Sequence, residues 1–454
     1  MKTRILLWSV VSVLTVGIAG DVSLKAGDTG ISDSGSTQAI HLDDGTKLTL
    51  LGITHGGNQT APGYEHLATA NRLYTKNGTT VVWIEAEHKP GQWPNYELVV
   101  YDLAMTAGVH LEKSTASHVK DGVDFQGFIL RAFPRRDRLT ILRAKNYNGP
   151  VGKGEIIITN EDSSPLENWT PESLPITKSD GDLEVTLTNL IAGMPWPEPS
   201  LGYPFGRDPG LTLDDPANRC VRLSFNFRQN GDATTNWFPH LVTTTDATGN
   251  QVEGVAQLCI KYPYGSRNFS HEFMERARQA MEAKQFYYHP GLWPNEPWKV
   301  RLEFIRTSGF SDDEIVTFTN LPVKLGSQRD WDDEWNAWDV GKTNFPFTII
   351  PATVNGVHLK LLPPLLVPDQ FQPGVTNISV IIGADSNPKK QGMHLTILEA
   401  TDDQGRELWH PFTPDWAGHY SIDLPRVGDV KTLNLKLALH KNRFVAFTVK
   451  PERQ

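Results

Sequence analysis

Cysteine is nearly missing from this chain: its 454 residues hold 2. That count excludes a disulfide-dense scaffold and a four-cysteine zinc ribbon. A membrane-spanning run is missing too. The main apolar stretch, Ile5 to Ala19, falls short of the roughly 20 residues that cross a bilayer. An excess of basic charge is also missing. Lys and Arg number 43 against 52 Asp and Glu, a net charge of −9, which excludes nucleic acid as the expected main partner. Two catalytic signatures are absent. No Gly-x-Ser-x-Gly elbow exists to serve the Gly-rich turn His55-Gly56-Gly57. His271-Glu272 runs on to Glu275 without the second histidine of a zinc helix. With 39% hydrophobic residues, 21% charged, 38 Gly and 31 Pro, the composition is globular rather than disordered or collagenous.

The beginning of the chain reads as an address. Met1-Lys2-Thr3-Arg4 is basic, the run to Ala19 is apolar, and Gly17, Ala19 and Gly20 are small. This order is that of an export signal, assigned to residues 1–20. No cysteine follows the run to carry a lipid. Residues 21–39 are rich in Gly, Ser, Asp and Thr and read as a flexible stalk. The expected location is therefore periplasmic, cell-surface or secreted. Membrane contact is expected only through the N-terminal segment, if it stays uncleaved.

The remainder consists of short Val, Ile, Leu, Phe and Thr runs broken by Gly, Pro, Asn and Asp, which is the pattern of strands and turns. Four anchors recur in order three times. An opening strand appears at Leu48, at Leu183 and at Phe347. A strongly apolar strand follows at Val81 to Ile84, Val221 to Phe227 and Ile378 to Ile382. A strand then ends in an Asp-to-Gly turn at Asp102, Asp246 and Asp402. A closing hairpin joins Leu139–Leu142 to Glu155–Ile158, Val300–Phe304 to Ile315–Phe318, and Leu433–Leu437 to Phe444–Val449. The expected fold is all-β: three tandem antiparallel β-sandwich modules at residues 40–160, 181–325 and 343–451. The middle module is longer by about 20 residues, and the surplus carries a helical pattern over residues 270–285. Ser270 is placed to cap it, and Phe273, Ala277, Ala280 and Met281 form its stripe. The strand pattern resembles the tandem immunoglobulin-like or fibronectin-III-like modules of exported proteins. It lacks the Cys, Trp, Cys signature of immunoglobulin domains, so the resemblance implies architecture and no activity.

Few residues suggest chemistry. Glu85 and Glu87 share one face of a predicted strand and His88 takes the other. Trp331, Trp335 and Trp338 fall on one face of a helical turn, with Asp332 and Asp333 on the other. That arrangement suits either a buried linker stripe or an aromatic platform for sugar rings. The acidic run there lacks the spaced ligands and turning Gly of a calcium loop. Aromatic-proline loops recur, as in Trp93-Pro94, Pro195-Trp196-Pro197, Trp293-Pro294 and His410-Pro411. Glycosylation sequons stand at Asn58, Asn77, Asn168, Asn268 and Asn377. Alternation places Cys220 and Cys259 on the polar faces of their strands, so any Cys220–Cys259 bridge is expected at the surface of one sheet. No metal and no cofactor is expected. The leading expectation is a non-catalytic exported binding or structural protein with a protein or polysaccharide partner. The alternatives are an exported carbohydrate-active enzyme or accessory glycan-binding protein, and an envelope-anchored regulator.

Overall fold

A computed structural model describes residues 39–55, 58–63, 72–74, 79–91, 95–105, 107–120, 122–130, 132–146, 152–160, 166–194, 219–234, 236–255, 285–288, 292–325, 350–368, 376–385, 388–408, 415–416, 419–425 and 429–453. Thr37–Gln454 forms one compact unit. The described residues form an all-β protein of several small, mainly antiparallel sheets. The first region contains β1 (Ala39–His41), β2 (Lys47–His55), β3 (Asn58–Thr60), β4 (Arg72–Tyr74), β5 (Thr80–Glu87), β6 (Tyr96–Asp102), β7 (Gly108–His110), β8 (Glu112–Lys120), β9 (Val123–Leu130), β10 (Leu139–Asn146) and β11 (Ile156–Thr159). The second holds β12 (Ile176–Asp180), β13 (Leu183–Met194), β14 (Cys220–Gln229), β15 (Asp232–Ala233), β16 (Trp237–Asp246), β17 (Gln251–Val255), β18 (Gln285–Tyr288) and β19 (Trp298–Arg306). The third holds β20 (Ile315–Pro322), β21 (Lys324–Leu325), β22 (Ile350–Val354), β23 (Val357–Leu361), β24 (Leu365–Pro368), β25 (Thr376–Ala384), β26 (Met393–Asp402), β27 (Asp415–Trp416), β28 (His419–Pro425), β29 (Thr432–Lys441), β30 (Arg443–Val449) and β31 (Glu452–Arg453).

The first two regions pair their opening and apolar strands in one sheet, β2 with β5 and β13 with β14; in the third, the apolar strand β25 pairs with β23, and the opening strand expected from Phe347 lies outside the described residues. Each region places its turn strand beside the next long strand in another sheet: β6 with β10, β16 with β19, β26 with β29. The strands are rich in β-branched and aromatic residues, and alternation buries one face. On β13, Leu183, Val185 and Leu187 are buried. The phase then slips at Thr188, where the pairing skips a residue, and Leu190 and Ala192 take over. The bulge thus resets which parity faces the core. One continuous cluster of buried side chains runs through the first and second regions, and a separate one fills the third.

The Asp246 and Asp402 turns coincide in detail, and the Asp102 turn is one residue longer with Met105 in place of a Gly. Asp102 accepts the Ala107 amide at 3.2 Å. Asp246 accepts the Thr248 and Asn250 amides at 2.9 and 3.1 Å. Asp402 accepts the Gln404 and Arg406 amides, both at 2.9 Å. The left-handed residue of the turn is Met105, Gly249 and Gly405 in turn. All three carboxylates are buried, so the amides supply the hydrogen bonds that water no longer can.

The closing hairpins differ. β10 and β11 pair with each other. β19 and β20 do not, nor do β29 and β30. Instead β30 lies beside β19, and β20 lies beside β29. The seats are equivalent. Opposite the three turn Asp residues stand Thr140, Trp298 and Leu433, and beyond these stand Ile158, Val449 and Leu321. The second and third regions therefore exchange edge strands, and two crossings of the chain join them. One crossing is the single residue Asn442, whose amide bonds the Gly392 carbonyl at 2.8 Å and whose side chain bonds Glu303. The hairpins expected at Val300–Phe304 with Ile315–Phe318, and at Leu433–Leu437 with Phe444–Val449, are corrected accordingly. The physical reason is that an edge seat accepts any apolar strand of the right register, and both candidates fit.

Among the described residues there is no α-helix, only the 3-10 turns Asp312–Glu314 and Lys389–Gln391. The helix expected over residues 270–285 lies outside the described residues up to its last position. Gln285 opens strand β18 beside β14 rather than ending a helix. Residues 1–20 and all of 21–39 but Ala39, which begins β1, lie outside the described residues as well. The segment between the first two regions is tied down rather than loose. The Glu172 amide bonds the Thr448 carbonyl at 2.7 Å, and the Glu172 carboxylate accepts the Thr448 amide at 2.9 Å.

Candidate functional site

The first and second regions meet at a shallow cleft. Its walls are the loop Phe133–Asp137, the turn Asp246–Asn250 and the loop Trp293–Glu296. The Asp246 turn presents Asn250, whose amide side chain faces the other loop. Asn250 Nδ2 donates to the Phe133 carbonyl at 2.9 Å, and its Oδ1 accepts the Phe133 amide at 3.0 Å. Asp246 also takes the Thr248 hydroxyl at 2.7 Å and Asn250 Nδ2 at 2.9 Å. Arg135 donates to the Thr248 carbonyl at 2.7 Å, and Trp293 Nε1 donates to the Ala132 carbonyl at 3.0 Å. Arg136 pairs with Glu296 at 2.6 Å.

Burial raises the Asp137 carboxyl above the ordinary range, Asp102 and Glu296 push it further, and Arg453 opposes them. A carboxyl raised in this way can hold a proton nearer neutral pH. The candidate for a second carboxylate, Glu296, is engaged by Arg136. The cleft therefore acts chemically as a joint. Most of its polar groups bond one region to the other.

The residues expected from sequence fall as follows. Glu85 and Glu87 share a half-buried face of β5, as alternation requires, and Glu87 pairs with Lys47 at 2.6 Å. His88 turns inward and bonds Asp124 at 3.1 Å, both side chains being buried. Its other ring nitrogen lies 3.0 Å from the Lys89 carbonyl, so neither is left for a substrate. His55 bonds Thr80 at 2.8 Å and packs edge-on against Phe133. Trp293 is a buried joint residue rather than a rim aromatic. Asn377 is buried in β25 and does not serve as a glycosylation site, whereas Asn168 is exposed. Trp331, Trp335, Trp338, Asp332 and Asp333 lie outside the described residues, as does Cys259.

Cys220 corrects an expectation. Val221, Leu223 and Phe225 do enter the core and Cys220 does take the opposite face of β14, yet Cys220 is fully buried. Burial pushes its thiol up to about 12. Alternation fixes the face a side chain takes, but not what covers that face. Sequence reasoning also missed Asp137 and Asn250. The Asp-x-x-Gly-Asn run around Asn250 announced a turn, and nothing local announced its partner 117 positions away.

The class that fold and joint define is an all-β protein of interlocked small sheets. No family model matches the chain, and it finds no match among curated proteins or solved structures at the significance required of a relative. No helix among the described residues is long and apolar enough to cross a membrane, and no group of three or more metal-ligating side chains among them could hold an ion.

Proposed function

We propose that this chain is an exported, non-catalytic binding or structural protein of the cell envelope or extracellular space, built from three tandem immunoglobulin-like or fibronectin-III-like sandwiches. The supporting observation is the use made of polar groups at the cleft. Asn250, Arg135, Trp293 and the Arg136–Glu296 pair all bond one region to the next, and Asp246 holds Asn250 in place. A joint of this kind holds modules at a set angle, which serves a spacer or a presenting surface. The protein or polysaccharide that it presents to is the partner.

Two measurements test the proposal. Fractionation and N-terminal sequencing of the expressed full chain should find it outside the cytoplasm and starting near Asp21. An intact chain in the cytoplasm overturns export. Incubation with polysaccharides should release no reducing ends. Release that disappears in Asp137→Asn overturns the non-catalytic reading and favours a carbohydrate-active enzyme.

A further inference from the structure

Three histidines meet where the second and third regions exchange strands. His240 sits in a bulge of β16 between Pro239 and Leu241, where β19 offers no opposite residue. The bulge aims its ring across the junction. His394 and His440 face each other across the β26–β29 pair. The His240 and His394 rings are 4.7 Å apart and the His394 and His440 rings 6.0 Å apart. His394 is 4% exposed and His440 0%. Phe310, in the crossing between β19 and β20, stacks 5.2 Å from His440.

The charges around the cluster are identifiable element by element. From the β19 end and its crossing come Arg306, stacked 5.0 Å over Phe310, and its ion-pair partner Glu314. Glu303 of β19 bonds Asn442 at the corner. Lys441 follows His440 on β29. The hydrogen bonds of His440 place one ring hydrogen. Its Nδ1 lies 3.3 Å from the Lys441 carbonyl, which only accepts, so Nδ1 carries the hydrogen. Its Nε2 is 3.1 Å from the Thr396 hydroxyl, which donates to a neutral ring and accepts from a protonated one.

We infer that this junction is an acid-sensitive joint: protonation of the His240–His394–His440 cluster loosens the seam between the second and third regions while the first region stays closed. A proton at His440 Nε2 reverses the bond to Thr396 and adds a positive charge beside the His394 imidazole and Arg306, in a place from which water is excluded. Burial lowers His440 to about 4 from 6.5; Arg306 adds to this, and the Lys441 carbonyl and Glu314 oppose it. The folded value is depressed, so the closed state binds protons less readily than an open one. Closure is favoured above pH 6.5 and loses ground as the pH falls toward 4. The hinge is available: the exchange is carried by Asn442 on one crossing and by Thr307–Ser311 on the other.

Hydrogen exchange of the full chain, corrected for intrinsic rates, tests this between about pH 7 and about pH 5. Protection in β16, β26 and β29 should fall about tenfold or more, the change that one unit of pKa difference implies, while β5 and β9 hold theirs. His240→Gln, at a half-buried position, and His394→Gln should each flatten that response. A uniform loss across all regions, no loss at all, or an unchanged response in both variants overturns the inference. If His394→Gln does not fold, His240→Gln and the parent profile decide alone.

Discussion

The two junctions of this chain are made by different means. Between the first and second regions, two loops touch and side chains do the joining: Asn250 reads both polar groups of Phe133, and Trp293 reaches Ala132. Between the second and third, the main chain does it, through β30 seated beside β19 and β20 seated beside β29. A side-chain joint can fail one contact at a time. A strand exchange cannot, because removing either partner leaves an open sheet edge and an uncovered core in the other region. The first junction should therefore behave as an interface and the second as part of the fold.

The largest expected effect comes from separating the pieces. Residues 181–325 expressed alone lack β30, and with it the buried Val445, Phe447 and Val449. Each such loss amounts to about 1–5 kcal/mol, against a total stability of about 5–15 kcal/mol. The fragment should show no cooperative thermal transition by circular dichroism, whereas residues 40–160 should melt cooperatively. A cooperative 181–325 fragment would break the comparison. Next in size is Phe447→Ala, expected to cost about 3–5 kcal/mol. Although the residue lies in the last stretch of sequence, exchange protection should be lost in β16 and β19 of the second region.

Smaller is Asn250→Ala, which leaves the buried Phe133 amide without its partner and the Phe133 carbonyl with the Arg135 amide. A loss of about 1–3 kcal/mol is expected by denaturant titration, with β26 and β29 unaffected. Asp402→Ala removes the acceptor of two turn amides and should cost about 1 kcal/mol, as lost caps do. Burial alone would raise the Asp402 carboxyl, but the amide and side chain of Arg406 and the Gln404 amide outweigh it and hold it below 3.8. Its contribution is therefore present above that pH and lost as the pH falls below it. Smallest is Lys47→Ala. Its pair with Glu87 is half-exposed and should be worth under about 1 kcal/mol, a change in melting midpoint near the limit of detection.

Much of the plan was legible because it is local. Asp246-Ala247-Thr248-Gly249-Asn250 and Asp402-Asp403-Gln404-Gly405-Arg406 announce their turns by composition, and the structure repeats the turn down to the accepted amides. The apolar strands Val81 to Ile84, Val221 to Phe227 and Ile378 to Ile382 lie in β5, β14 and β25. The bulges were not legible. Thr188 interrupts alternation without a Gly or Pro to mark it, and at His240 the neighbouring Pro239 marks an irregularity but not the direction of the ring. The cleft was less legible still, since Asp137 owes its raised carboxyl to burial, Asp102 and Glu296, which come from separate parts of the chain.

The sequence by itself determined the apolar strands, the alternation of faces between bulges and the Asp turns, because these depend on neighbours within a few residues. The tertiary structure alone decided which strand fills each edge seat, what covers Cys220, and which loops Asn250 and His240 face. Those outcomes depend on surfaces built from distant segments, where two apolar strands of equal register compete for one edge and only the packed molecule selects between them.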